Sequence, residues 1–315
     1  MNILLWHVHG SWTTAFVQGA HRYVFPVVPD RGPDGRGRAR TWDWPDAAVE
    51  RSPAELADTE IDVVVLQRPG DEVLAAEWLG RRPGRDVPAI WLEHNAPQGR
   101  VNEMRHPAAD RLDLTVVHVT SFNALFWDCG STPTRVIEHG IIDPGHRYTG
   151  ELERAAVTVN EPLRRARVTG TDLLAPLSDA VPLDVFGMGV EGLAGARIDV
   201  FEDLTQDHLH DEMARRRVYL HPFRWTSLGL SLLEAMHLGM PVVALGTTEA
   251  PDVVVPEAGV VSNRPEVLAD ALRWFTAEPE EARVRGKAAR EVALARYGLG
   301  RFLSDWDELL TEVSS

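Results

Sequence analysis

The stretch from Arg217 to Ala250, RVYLHPFRWTSLGLSLLEAMHLGMPVVALGTTEA, leaves little choice of fold. Val218, Tyr219 and Leu220 make a short apolar strand, and Pro222 breaks the loop that runs from His221 to Ser227. The pattern then predicts a helix from about Leu228 to Leu238, stopped by Gly239 with Pro241 just beyond, and a buried strand over Pro241 to Leu245. A helix that is apolar on nearly every side belongs inside an α/β domain. One carboxylate interrupts it, Glu234, set among Leu, Met and small residues. Burying a carboxylate is costly unless partners or a ligand satisfy it; the plainer reading is a solvated helix residue.

A chain of 315 residues suggests two domains with ample core for each. Its 44% hydrophobic and 25% charged residues are ordinary for a soluble globular protein. The single cysteine, Cys129, excludes a disulfide framework and suits a reducing cytoplasm, the expected location. No apolar run approaches a membrane span, and MNILLWHVHG lacks the charged start and small-residue cleavage site of a leader. A formal charge of −15 argues against nucleic acid and against broad docking on anionic lipid.

Read in order, the chain alternates strands and helices. Asn2 to Val8 is an apolar strand, and His9-Gly10-Ser11 turns into a helix near Trp12 to Gln18. Strand, glycine turn and helix put backbone N–H groups where a phosphate or sugar can sit, although a plain βα turn reads the same way. Val24 to Val28 is followed by a long loop rich in Gly, Pro and Arg. Its Arg31, Arg36, Arg38 and Arg40 either hold an anionic acceptor or lie on a solvated flexible loop. Ile61 to Leu66 and Pro88 to Leu92 are strands, and the second ends at Glu93-His94-Asn95. Ligands of open parallel sheets gather at the carboxyl ends of strands, which is where His94 and Asn95 fall; a satisfied structural histidine is the alternative. Leu114 to Val119 is a further strand, with Thr120-Ser121 capping a helix. Beyond a linker near His146 to Leu152, Ala155 to Asn160 opens the second half. There Arg164, Arg165 and Arg167 precede Thr169-Gly170 and a helix start, an anion site built from charge and helix dipole, or else a basic surface turn. Pro265 to Phe275, Pro279 to Ala295 and Leu299 to Val313 are the closing helices.

The run LGLSLLEAMHLGMPVVAL resembles the nucleotide-sugar site of family 4 glycosyltransferases, retaining enzymes of the GT-B type. That family carries E-x7-E within "EGFGLxxLEAMAxGxPVVA". Glu234 takes the place of the second Glu, which in the family accepts hydrogen bonds from the donor's ribose hydroxyls. The first Glu, which touches the donor sugar, is replaced by Thr226. The resemblance implies an α/β fold of two Rossmann-like domains with parallel sheets facing across a cleft. The expected divisions are an acceptor-side domain over 1–148, a nucleotide-sugar domain over 149–296, and a last helix, 297–315, crossing back to the first. It also implies donor contacts from Gly10, Gly170, Thr226, Ser227, Leu228, Gly229 and Glu234, and acceptor-side positions at Ser11, Trp12, Asn95 and Arg38. His94 matches a family histidine close to the transferred sugar. Laying Gly170 on the family's "GRLxxxKG" puts Arg164 on its Arg and Thr169 on its Lys, with Arg165 or Arg167 supplying the missing cation. Arg164 and Arg165 are the expected catalytic cations.

The expected function is transfer of a sugar from a nucleotide-diphosphate donor to a hydroxyl acceptor, soluble or phosphate-bearing, with retention and with no cofactor beyond the donor. Two other readings use the same fold: a sugar-nucleotide epimerase, with Glu93 and Glu103 as carboxylates, and a nucleotide-sugar-binding protein that has lost transfer, for which Thr226 argues. A metal enzyme built on His7 and His9 or on His208 and His210 is disfavoured. Each pair is spaced i, i+2, which shares a face only on a strand, and the second pair lies in a helical pattern.

Overall fold

The computed structural model describes all 315 residues. Short apolar segments such as Val63–Leu66 (VVVL) and Ala89–Glu93 (AIWLE) are buried along their whole length. Strands of that kind require cover on both faces, the environment of a parallel sheet in an α/β layer. The chain divides into two units, Met1–Gly140 with Leu299–Ser315, and Ile141–Gly298.

The first unit holds seven strands: β1 (Asn2–Leu5), β2 (Arg22–Pro26), β3 (Ala48–Arg51), β4 (Val63–Leu66), β5 (Ala89–Glu93), β6 (Thr115–His118) and β7 (Thr134–Val136). They pair in the order β3-β2-β1-β4-β5-β6-β7, parallel throughout. The edge strand β3 is absent from the sequence reading, since its Glu50 and Arg51 break the apolar pattern that marks central strands. The loop before it is folded rather than loose. Arg31 makes a double hydrogen bond with Glu50 at 2.8 and 2.9 Å, and the Trp6 indole N–H donates to the Asp34 carbonyl at 2.9 Å. The helix Leu299–Ser314 belongs to this unit. Its Trp306 ring packs edge-on against Trp12 and Phe16, and Phe302 lies so close to Gly140 that a side chain there would strike its ring.

The second unit holds β8 (Leu152–Thr158), β9 (Leu183–Gly187), β10 (Ile198–Glu202), β11 (Arg216–His221), β12 (Val242–Leu245) and β13 (Gly259–Ser262), in the order β10-β9-β8-β11-β12-β13 and again all parallel. The helix Leu230–Leu238 packs into its core. Gly239 ends that helix at φ 89°, a left-handed conformation, with the His146 ring where a Cβ would stand. The division falls before the sequence-based boundary at 148, because Ile141 and Tyr148 join the second core and the Tyr148 hydroxyl donates to the Arg217 carbonyl at 2.7 Å.

Each sheet reverses its strand order once, between β1 and β4 and between β8 and β11. Loops leaving the carboxyl ends of those neighbours part in opposite directions and open a crevice, the usual ligand position of such sheets. No helix is long and apolar enough to cross a membrane.

Candidate functional site

In the second unit two loops meet at the reversal point. One leaves β8 and runs from Val159 to Gly170; the other leaves β11 and runs from Pro222 to Gly229. The Arg224 and Trp225 amides both donate to the Val168 carbonyl, at 2.9 and 3.2 Å, and Arg224 also pairs with Asp172. Gly170 sits at φ 72°, and a Cβ there would lie 1.9 Å from the Pro222 carbonyl oxygen, so only glycine lets the loops touch. The first loop carries backbone strain at Glu161 (φ 55°) and Ala166 (φ 44°), both outside the conformations ordinary residues prefer.

That loop separates its three arginines. Arg164 is exposed and reaches Glu161 at 3.4 Å, and Arg167 is exposed and paired with Asp172 at 2.8 Å. Arg165 is half-buried, meets no carboxylate, and lies over the Phe223 ring at 6.0 Å. Burial first, and the neighbouring Arg164 charge second, hold its pKa below the usual arginine value. Thr169, placed on the family lysine, is buried, and its hydroxyl donates to the Ala166 carbonyl at 3.0 Å. Arg165 is therefore the cation of this loop left without a counter-charge.

Glu234 is 7% exposed and not alone. The Gln206 side-chain amide donates to its Oε1 at 3.0 Å and lies 2.8 Å from His210 Nε2, which stands 3.7 Å from Glu234 Oε2. Only an N–H can face a carboxylate so closely, so the Gln206 nitrogen is the donor to both, and His210 carries its proton on Nδ1. Gln206 and His210 come from the helix Gln206–Arg215, whose His208 is exposed. In the loop that leads into the Glu234 helix the Thr226 hydroxyl is sealed from the surface with no hydrogen-bond partner. Ser227 and Leu228 are buried beside it, and Gly229 precedes the helix that carries Glu234. A Cβ on Gly229 would lie 2.7 Å from His221 Cε1, and burial lowers the pKa of that histidine to about 3.

In the first unit the carboxyl ends of β1, β4 and β5 bring His9, Gln67 and His94 together. The His9 and His94 rings lie 3.8 Å apart, and Trp12 meets His94 edge-on at 5.3 Å. His94 Nε2 is 3.2 Å from Gln67 Oε1. His139 belongs to the same neighbourhood, since its charge and that of His9 both lower the pKa of His94. Burial dominates each shift, taking His9 to about 4, His139 to about 3, and His94 well below the ordinary value. Three imidazoles are thus neutral at pH 7.

Several expected acceptor-side residues serve other purposes. Trp12 is 1% exposed and packs in the core against Phe16 and Trp306. The Arg38 guanidinium donates to the Ala48 and Trp44 carbonyls, each at 2.6 Å, tying its loop to β3 instead of facing a ligand. Gly10 lies under the Trp42 ring, which fills the space a side chain would take. Ser11 is partly exposed at the start of the first helix, and Asn95 is exposed, its carbonyl accepting from the Trp127 indole at 2.8 Å. The two carboxylates of the epimerase reading are separate. Glu93 is buried against His106 at 3.1 Å, whereas Glu103 is exposed beside Arg100 at 3.3 Å.

Residues 192–292 match the family model described as glycosyl transferases group 1. That segment, which holds Gln206, Thr226 and Glu234, is similar to group 1 glycosyltransferases. Solved structures extend the likeness over both units. Sucrose-phosphate synthase from Thermosynechococcus elongatus matches with TM-score 0.77 and 15% identity, over 99% of this chain and 98% of that one. HepE from Anabaena in complex with UDP and glucose matches with TM-score 0.70 and 14% identity, over 99% and 100%. A glycosyltransferase from Rickettsia africae matches with TM-score 0.68 and 12% identity, over 99% and 97%. The fold is GT-B. Among curated protein sequences none matches.

The sequence reading missed Gln206 and Gln67, and it weighed His210 only as half of a metal pair with His208. Gln206 and His210 sit four residues apart, a spacing that shares one helix face, and that signal was available. Gln67 carried none beyond its place at the end of β4.

Proposed function

We propose that this protein is a retaining glycosyltransferase that moves a sugar from a nucleoside diphosphate donor to a hydroxyl acceptor. The observation that carries the proposal is Arg165, a half-buried cation with no carboxylate, in a strained loop fastened to the loop that leads into Glu234. A desolvated, unpaired guanidinium calls for an anion, and a diphosphate answers it. Glu234 has Oε1 engaged by Gln206 and Oε2 facing only the lone pair of His210 Nε2, which leaves it able to accept from a ribose hydroxyl. Anabaena HepE, with the same fold, has been solved with UDP and with UDP-glucose, which makes uridine diphosphate the first base to try.

In the proposed reaction the bond from the anomeric carbon to the diphosphate breaks and a bond to the acceptor oxygen forms on the same face. The acceptor proton passes to a phosphate oxygen of the leaving group. Arg165 meets the negative charge that grows there, the kind of preorganised electrostatic help that usually dominates catalysis. His94 serves the transferred sugar. No cofactor beyond the donor takes part.

The test is a thermal-shift panel of UDP, GDP, ADP and their glucose conjugates, followed by transfer and hydrolysis assays with the donors that bind. Stabilisation by one nucleoside diphosphate together with turnover of its sugar supports the proposal. Binding without turnover of any sugar would instead favour a protein that has abandoned transfer, and no binding at all would refute both.

A further inference from the structure

The pair formed by Gln67 and His94 fixes more than a contact. Gln67 is 8% exposed at the carboxyl end of β4, and its side-chain nitrogen donates to the Trp6 carbonyl at 2.7 Å. A backbone carbonyl only accepts, so that side of the amide is the NH2 and the other, facing His94, is the oxygen. An amide oxygen also only accepts. The His94 nitrogen 3.2 Å away, Nε2, must then carry the proton. The backbone that presents Gln67 is held in turn, since buried Asp71 accepts from the Gln67 amide at 3.0 Å. The His9 ring lies tilted against the His94 ring at 3.8 Å, and Trp12 meets it edge-on.

We propose that Gln67 is a positioning residue that locks His94 as the neutral Nε2–H tautomer, so that Nδ1 acts toward substrate purely as a hydrogen-bond acceptor. Nδ1 has no partner in the chain and, unlike His139 Nδ1, is not sealed from the surface. The opposite tautomer would offer a donor at Nδ1, and the Gln67 oxygen excludes it; an imidazolium would offer one too, and burial of the ring disfavours it. The group that Nδ1 meets must therefore donate. The transferase reading above, on which this part rests, already sets His94 beside the transferred sugar; with Nδ1 an acceptor only, the sugar hydroxyl that meets it must keep its hydrogen.

The experiment uses the full chain labelled with 15N-histidine, with two-bond 1H–15N correlation spectra at pH 7.5 and His94 assigned by its loss in His94→Phe. The expected wild-type pattern is a protonated Nε2 and a lone-pair Nδ1, and Gln67→Met converts it to a mixture of tautomers. A wild-type His94 protonated on Nδ1 overturns the inference, as does an unchanged tautomer in Gln67→Met. A second arm measures UDP-glucose hydrolysis, with UDP-glucose analogues bearing fluorine in place of single hydroxyls. Fluorine cannot donate, so one position loses about tenfold or more in kcat/KM, roughly the cost of one strong hydrogen bond, and His94→Phe removes that discrimination. A fluorine penalty at every position that survives in His94→Phe counts against the substrate part of the inference. If UDP-glucose is not turned over by the wild type, the donor reading fails, and the tautomer spectra still decide the role of Gln67.

Discussion

Replacing Arg165 by Met keeps the stem that lies over Phe223 and removes the charge. Two unit charges about 4 Å apart near a protein surface interact by about 4 kcal/mol, and half-exposure of Arg165 reduces that to roughly 2–3 kcal/mol. Charge on the bridging phosphate oxygen grows toward the transition state, so most of the loss falls on kcat and less on the donor KM. The expected result is a kcat lower by about 30- to 200-fold, with donor affinity reduced by a smaller factor. Arg164→Met removes an exposed side chain already facing Glu161, and its effect should stay within about fivefold. The two variants also differ in stability. Because folding depresses the Arg165 pKa, the native state holds its charge less favourably than the unfolded chain does. Arg165→Met without ligand should therefore melt no lower than wild type. Stopped and steady-state assays of donor hydrolysis, beside differential scanning calorimetry, read all three quantities. An Arg165→Met protein with full kcat and a lower Tm would show a structural residue and refute the argument.

Glu234→Gln should weaken nucleoside diphosphate binding by about tenfold or more in titration calorimetry, since it loses charge-assisted hydrogen bonds and sets one amide against the Gln206 amide. In acid, the lowered pKa values of His9 and His139, about 4 and about 3, mean that the unfolded chain binds more protons below its own histidine pKa near 6.5. Stability is then complete above about pH 6.5 and falls as pH drops toward 4, which a Tm series reads as a loss of roughly 5 °C or more. Gly170→Ala should cost more than a surface glycine change, and it should lower donor affinity, because a Cβ would push the two loops apart at Pro222. Thr226→Glu should redirect donor choice toward sugars with a hydroxyl that can donate to the new carboxylate; an unchanged ranking over a donor panel would separate Thr226 from sugar recognition.

The central stretch was legible because one short segment held a strand, a glycine stop and a second strand, each with its own local signal. Helix Leu230–Leu238 and Gly239 at its end lie where that pattern put them. The order of elements along both units was equally open to reading, since buried parallel strands are continuous apolar runs. What stayed hidden depended on contacts distant in sequence. The partner of Glu234 lies 28 residues earlier, and Gln67 meets His94 across 27 residues. The arginines of the first long loop looked alike in sequence, yet Arg31 and Arg38 are spent on Glu50 and on backbone carbonyls. Trp12 followed a glycine turn and read as a ligand contact, but the final helix, nearly 300 residues later, buries it; no local pattern carries that information.

The two units treat charge in opposite ways, and the difference suits the chemistry proposed. Around the β8/β11 reversal the polar groups are a free guanidinium and a carboxylate, both suited to a nucleoside diphosphate, whose phosphates are anionic and whose ribose donates hydrogen bonds. Around the carboxyl ends of β1, β4 and β5, burial keeps His9, His94 and His139 uncharged. Neutral imidazoles bind hydroxyls without attracting a stray phosphate. A protonated histidine among them would offer an anion site of its own. The closeness of His9 to His94, 3.8 Å between ring centres, makes that outcome costly, since charging one ring raises the penalty for charging the next.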